Sequence, residues 1–240
     1  MFDRLPILAL LALASLPAAA AAPTTQRVYS VSGFDRIRID GPYQVQLKTN
    51  VAPYARAKGT AASLDAVSIK VEGRTLIVRT GSGGWGGYAG EGRGPVTIEV
   101  GTHELATAWV NGAGALLVDR IKGQKFDLSI NGPGVAKIDS TDVDQLNVGI
   151  SGAGTARLAG RAGKVSAVIH GTSTLEVDGL KSTDAVIGAD GPAVVRAQVT
   201  NEAHIDAMGL ASVTLTGNPE CTVKAQGSAN VVGCKGSNQR

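Results

Sequence analysis

Aromatic residues are scarce, with 2 Trp, 4 Tyr and 3 Phe among 240 residues. That counts against a transmembrane barrel, which carries aromatic girdles and strands of about 9–11 residues. Only 3 His and 2 Cys are present, and no cluster of them has the ligand number a structural metal needs. No charge of one sign dominates: 23 basic against 20 acidic residues leave +3. Without a basic stripe, a nucleic-acid partner is not expected. Glu, Lys, Leu and Met are thin outside the N-terminus while Val, Thr and Ile are common, which disfavours a helical bundle. Charged residues make up 18% of the chain and hydrophobic ones 43%, a balance that excludes wholesale disorder. What the chain has in excess is Gly, 32 residues in all, nearly double the usual share of about 7%. These have no three-residue period, so collagen is excluded.

The one long apolar run is N-terminal. Residues 1–22 read as a secretory signal peptide: a short charged start (Asp3, Arg4), an apolar stretch from Leu5 to Leu16, then Pro17 and a string of Ala. The stretch is shorter than the roughly 20 residues that span a bilayer. Cleavage is expected between Ala20 and Ala22, and no Cys lies nearby to serve as a lipid-anchor site. The mature chain is therefore expected to be soluble and exported to the periplasm or cell surface, with no transmembrane segment after cleavage. Export also bears on Cys221 and Cys234, which an oxidising compartment allows to pair. Closing a loop of about a dozen residues contributes on the order of 3 kcal/mol in the chain-entropy picture.

The main signal is an internal repeat. Gly112, Gly132, Gly152, Gly171, Gly191, Gly209 and Gly227 are spaced by 20, 20, 19, 20, 18 and 18 residues. Two positions after each anchor is a tiny residue: Gly114, Gly134, Gly154, Ser173, Ala193, Ala211 or Ala229. Positions six, four and two before the anchor, and four and six after it, are apolar in 34 of 35 cases, Gly233 being the exception. Interleaved positions are apolar in 5 of 21. A period of two is β-strand. Each unit reads as two short strands joined at a tight Gly corner, with a looser polar turn at the other end, such as 119–125 or 139–145.

A propeller blade takes roughly 40–45 residues. Coils of about 18–20 residues with a small residue at each corner instead predict an all-β parallel β-helix, or β-solenoid, in which each coil supports its neighbours. Ile37, Ile39, Gly41, Val45 and Leu47 match one further unit. Val67–Val71 and Leu76–Val78 suggest a hairpin turned at 72–74, and Val96, Ile98 and Val100 a strand leading into the repeats. The expected organisation is one solenoid domain over 23–240, with irregular first coils and a cap over 28–110 and regular coils over 111–235.

The unit Ile150-Ser151-Gly152-Ala153-Gly154, with its variants Val110-Asn111-Gly112-Ala113-Gly114 and Ile130-Asn131-Gly132-Pro133-Gly134, resembles the recurring motif of the head GIN domain family. The opening Phe34…Ile37-Arg38-Ile39…Gly41…Val45 and the closing Thr216-Gly217-Asn218-Pro219 are similar too. The resemblance spans roughly residues 30–235. Members are exported bacterial proteins described as autotransporter adhesins. It implies a right-handed β-helix at the cell envelope or surface, and it carries no catalytic residue over to this chain.

Candidate chemistry is sparse. His170 occupies a turn slot filled elsewhere by Asn111, Asn131, Ser151 and Asp190, and reads as a turn residue. His204 and Asp206 point outward together without a third ligand, and His103 stands apart. Asp119, Asp139 and Asp178 share one register, a row that in a β-helix polysaccharide hydrolase or lyase would supply acids; Ala159 interrupts it, and Asp is a common turn residue. Lys137, Arg157, Glu176 and Arg196 form a charged ladder that reads as a solvated face. The segment 81–94 has eight Gly in 14 residues and offers Trp85 and Tyr88 as candidate surface contacts. No cofactor is indicated. A non-enzymatic exported solenoid, acting as an adhesin or envelope module toward a protein or glycan partner, is the expected function; a β-helix carbohydrate-active enzyme is the alternative.

Overall fold

The structure, a computed structural model, describes residues 24–81 and 95–236. The signal peptide expected over 1–22 lies outside the described residues, as do Trp85 and Tyr88. About 70% of the described residues are strand, wound into stacked parallel coils of about six turns. The chain is a β-solenoid.

Strands β8 (Thr107–Asn111), β9 (Ala115–Val118) and β10 (Ile121–Asn131) begin the regular part. β11 (Val135–Gly152), β12 (Thr155–Gly171), β13 (Thr174–Asp190) and β14 (Val194–Met208) continue it. β15 (Ser212–Thr216), β16 (Glu220–Ala225) and β17 (Asn230–Val232) close it. Every neighbouring pair in this series is parallel, and each residue lies beside its equivalent one coil on, as in Ile130↔Ile150 and Ile150↔Ile169. The alternation in the sequence becomes a burial alternation: Phe126, Leu146, Val165 and Ala185 face a common interior, all 2% exposed or less.

The corners follow from backbone geometry. All seven anchor glycines, and Gly41, have positive φ, the region where a Cβ collides with the carbonyl. Gly152, at φ +111°, also sits against the corner below: an added Cβ would lie 3.1 Å from Gly132 Cα and 3.2 Å from its nitrogen. Two residues on, side-chain volume is conserved across the corner. A Cβ on Gly154 would meet Ile130 Cγ2 at 2.7 Å and Ile150 Cγ2 at 3.0 Å. Where the position before the corner shrinks to Ala189 or Ala207, the position after it grows to Ala193 or Ala211, both buried. Dense packing enforces that exchange.

The far end of each coil differs from the looser turn that the sequence suggests. The strands run on through it: Ile121 pairs with Thr141, and Val143 with Ala162, in parallel register. Ile121, Val143, Ala162 and Leu180 are buried there, so one inward apolar side chain per coil turns a polar turn into a short third side.

The first coils are stacked out of chain order. β2 (Arg36–Asp40) and β3 (Gln44–Lys48) lie directly on β8 and β9. β6 (Thr75–Thr80) and β7 (Thr97–Gly101) cover the opposite edges of β2 and β3. β7 thus does not lead into the repeats; a coil that precedes it in sequence separates it from them. The hairpin expected at 72–74 is present, as β5 (Val67–Glu72) pairs antiparallel with β6. β4 (Tyr54–Gly59) pairs antiparallel with both β7 and β1 (Thr25–Tyr29), which covers that end of the sheet. A short helix, α1 (Ala61–Asp65), is capped by Thr60, whose side chain accepts from the Ser63 backbone N–H, and it buries Leu64. Asp35, 7% exposed, is held by Arg74 at 2.5 Å.

At the other end, a disulfide joins Cys221 and Cys234, with Cα atoms 5.7 Å apart. It ties β16, in which Val223 is 41% exposed, to the segment after β17.

Gly152→Val should lower stability by about 3 kcal/mol, since it combines strained φ with backbone overlap. Arg157→Ala, which removes an exposed pair with Glu176, should change it by less than about 0.5 kcal/mol. Urea melts of both variants test the corner, and similar midpoints would overturn it. Reduction of the disulfide should cost about 3 kcal/mol, read as a fall in melting temperature that a Cys221→Ala, Cys234→Ala variant reproduces.

Candidate functional site

The acids that share one register do not converge. Asp119 Oδ1 accepts hydrogen bonds from the backbone N–H of Thr49 at 3.0 Å and of Arg120 at 2.6 Å. It therefore ties the first coil to the regular ones. Asp139 is paired with Lys137 at 2.8 Å. In the charged ladder, Glu176 lies between two guanidinium groups, 2.5 Å from Arg157 and 3.4 Å from Arg196. Glu176 thus separates two cations, while Lys137 and Arg157 stand side by side with like charge; such exposed pairs add little stability.

The histidines are equally dispersed. His170 is exposed in its turn slot with Nδ1 3.6 Å from Asp190 Oδ2. His204 lies between Val186 and Thr222 in register, and Asp206 between Gly188 and Lys224. Among the described residues no three His, Cys, Asp or Glu side chains come close enough to hold a metal ion.

On the short third side, Arg161 forks onto Asp142 with contacts of 2.6 and 3.2 Å. The hydrogen bond from Arg161, with its charge in support, holds the Asp142 carboxyl below its ordinary range. Lys58 does the same for Glu99 across β4 and β7.

The outward face of the side formed by β2, β6, β8 and the anchor-preceding parts of β10–β14 is different. In one row across the strands lie Ile77, Arg38, Trp109, Ser129, Gly149 and Val168. Trp109 is half-buried and stands between two shallow hollows. One, of about 230 Å³, runs over Ser129 and Gly149 to Val168. The other, of about 460 Å³, lies toward Arg38, Thr75 and Ile77. Along the rim, Asn147 donates to Asp127 at 2.7 Å. One row over, Asn131 donates to Asn111 at 3.1 Å and Asn111 to Asp40 at 2.7 Å. Sequence reasoning passed over Trp109. The available signal was a large aromatic in a slot, three before the anchor, that is otherwise small, polar or charged in five of seven coils.

A family model described as "Putative auto-transporter adhesin, head GIN domain" matches residues 33–219. The chain belongs to the head GIN domain family. Among solved structures, a "putative adhesin" from Bacteroides fragilis aligns over 88% of this chain and 97% of its own, at 16% identity and a TM-score of 0.80. A "putative adhesin" from Parabacteroides distasonis covers the same shares at 14% identity and a TM-score of 0.66. A "putative lipid binding protein" from the same species aligns over 87% of this chain and 96% of its own, at 17% identity and 0.65. At such identities the likeness shows the fold alone. No curated protein matches the sequence. Among the described residues of this head GIN protein, no helix is long and apolar enough to cross a membrane.

The Asp142–Arg161 pair has a pH signature. A carboxylate with a lowered folded value contributes fully above its ordinary value of about 3.9, and the contribution is lost as pH falls through the lowered value. Arg161→Gln should therefore reduce the urea midpoint near pH 7, with the gap to the native protein closing toward about pH 2. An equal gap at both pH values would overturn the assignment.

Proposed function

We propose that this head GIN protein is an exported, non-enzymatic binding module: residues 1–22 are removed on export, and the solenoid works in the periplasm or at the cell surface as an adhesin or envelope component. The observation that carries this reading is the disposition of the polar side chains. An enzyme needs acids, bases or nucleophiles converging on one point. Here Asp119, Asp139, Asp142 and Glu176 each face a backbone amide or a cation on the same or the adjoining coil, and the outward rows are ladders. A ladder suits recognition of something extended, because each coil presents a similar contact one step further on. Membership of a family described as adhesins supports the same direction. Trp85 and Tyr88, which fall between β6 and β7 in the sequence, are proposed as a further contact.

The test is fractionation of cells producing the full chain, followed by binding of the mature protein to intact cells and envelope fragments. Expected are a processed N-terminus near Ala22, recovery outside the cytoplasm, and saturable envelope binding. An unprocessed cytoplasmic protein would overturn export. A processed protein that releases soluble oligosaccharide from envelope polysaccharide, with loss in Asp139→Asn, would replace the module by the enzyme.

A further inference from the structure

We propose that the row centred on Trp109 is a binding groove for a neutral, extended polysaccharide chain lying along the solenoid axis, across the strands. The inference rests on the binding-module reading and names its site and ligand class.

Four observations point to it. The first is Gly149. Its φ is not positive, and a Cβ added to it would meet nothing within 4 Å. Neither backbone nor packing calls for Gly at that position, and Gly in a strand interior costs roughly 0.5–1 kcal/mol relative to Ala. Such a position marks close approach by something outside the strand. Gly188, two coils on in the same row, is likewise without positive φ, with only Ala167 O at 3.9 Å from its notional Cβ.

The second is Trp109, whose indole is half-buried between the two hollows. Its N–H has no hydrogen-bond partner among the described residues. An indole face receives the C–H face of a pyranose ring, and its N–H can donate to a ring hydroxyl. Val168, 49% exposed, supplies a second apolar platform three inter-strand steps away, about 14 Å.

The third is charge. Arg38, Glu72 and Asp127 are the charged side chains lining the hollows. Arg38 is paired with Asp40 at 2.9 Å, Glu72 with Arg79 at 3.6 Å, and Asp127 with Lys125 at 3.2 Å. A groove whose charges are internally neutralised complements an uncharged ligand, not an anionic polymer or lipid headgroup. Its other polar groups, among them Ser129, Ser166, Asn147 and Asn111, are hydroxyls and amides, the donors and acceptors that sugar hydroxyls match.

The fourth is periodicity. The row repeats at the inter-strand spacing of about 4.8 Å, close to the advance per residue of an extended β-linked hexopyranose chain. Successive sugars would meet successive coils in equivalent positions, from Ile77 to Val168, about 24 Å over five steps.

The experiment uses the mature protein and isothermal titration with three soluble neutral polysaccharides: mixed-linkage β-glucan, galactomannan and arabinoxylan. Polygalacturonate and phosphatidylglycerol vesicles serve as anionic comparisons. At least one neutral polymer should bind, with both anionic probes far weaker. Trp109→Ala should weaken that binding by about tenfold or more. Gly149→Val, which fills the notch where no atom stands in the way, should do the same with a melting temperature no lower than that of the native protein, so lost binding cannot be ascribed to lost fold. Arg157→Ala, on another side of the coil, should stay within about twofold. Binding to none of the three neutral polymers overturns the proposal, as does stronger binding to polygalacturonate or vesicles, or affinity indifferent to Gly149→Val. If the mature protein binds envelope fragments while Trp109→Ala and Gly149→Val bind them equally well, the groove fails and the binding module stands. If envelope binding is itself absent, the module reading fails first.

Discussion

The close parallel stacking of one coil's backbone on the next is the constraint on which everything else in this molecule depends. At an inter-strand distance of about 4.8 Å, a corner cannot carry a side chain that points along the rod. Gly152 against Gly132, and Gly132 against Gly112, meet through backbone atoms. The column of positive-φ glycines is the consequence. Each is costly in conformational entropy, and the coil recovers that cost by burying a continuous file of Val, Ile, Leu and Ala. Volume exchange between Ile150 and Gly154 on one coil, and Ala189 and Ala193 on another, is the same constraint at the level of side chains.

Stacking also determines what the outside can be. Any outward residue stands beside its equivalents, so like charges in one row would repel over the whole rod. The ladder through Lys137, Arg157, Glu176 and Arg196 meets this by drawing Lys137 onto Asp139 and placing Glu176 between two arginines. The row through Trp109 meets it differently: from Ile77 to Val168 its one charged member is Arg38, and the rest are small or apolar. That contrast between two sides built by one repeat is what separates a solvated face from a candidate recognition face.

Much of this was legible in the residues. The period of about 20, the tiny residue after each anchor and the alternation around it specify coil length, corner and inward face, because each of these is a local demand repeated seven times. An oxidising compartment would allow Cys221 and Cys234 to pair, and the structure shows that they do. The short third side was not: Ile121, Val143 and Ala162 are single apolar residues among polar ones, and only the stacked coils show that each is buried. Asp119 looked like part of an acid row because register is visible in sequence. Its engagement by the Thr49 amide, 70 residues away, is not.

The sequence by itself determined a parallel solenoid with glycine corners, since hydrophobic alternation and positive φ are properties of residues and their immediate neighbours. Tertiary structure decided the order of the first coils, because β6 and β7 could in principle have followed β3 and instead cover the outer edges of β2 and β3. It thereby decided that Ile77 and Arg38 join Trp109, Ser129 and Gly149 in one row. Which edge a strand joins depends on backbone hydrogen bonds common to all residues, so no local pattern distinguishes one edge from the other; only closure of the whole sheet does.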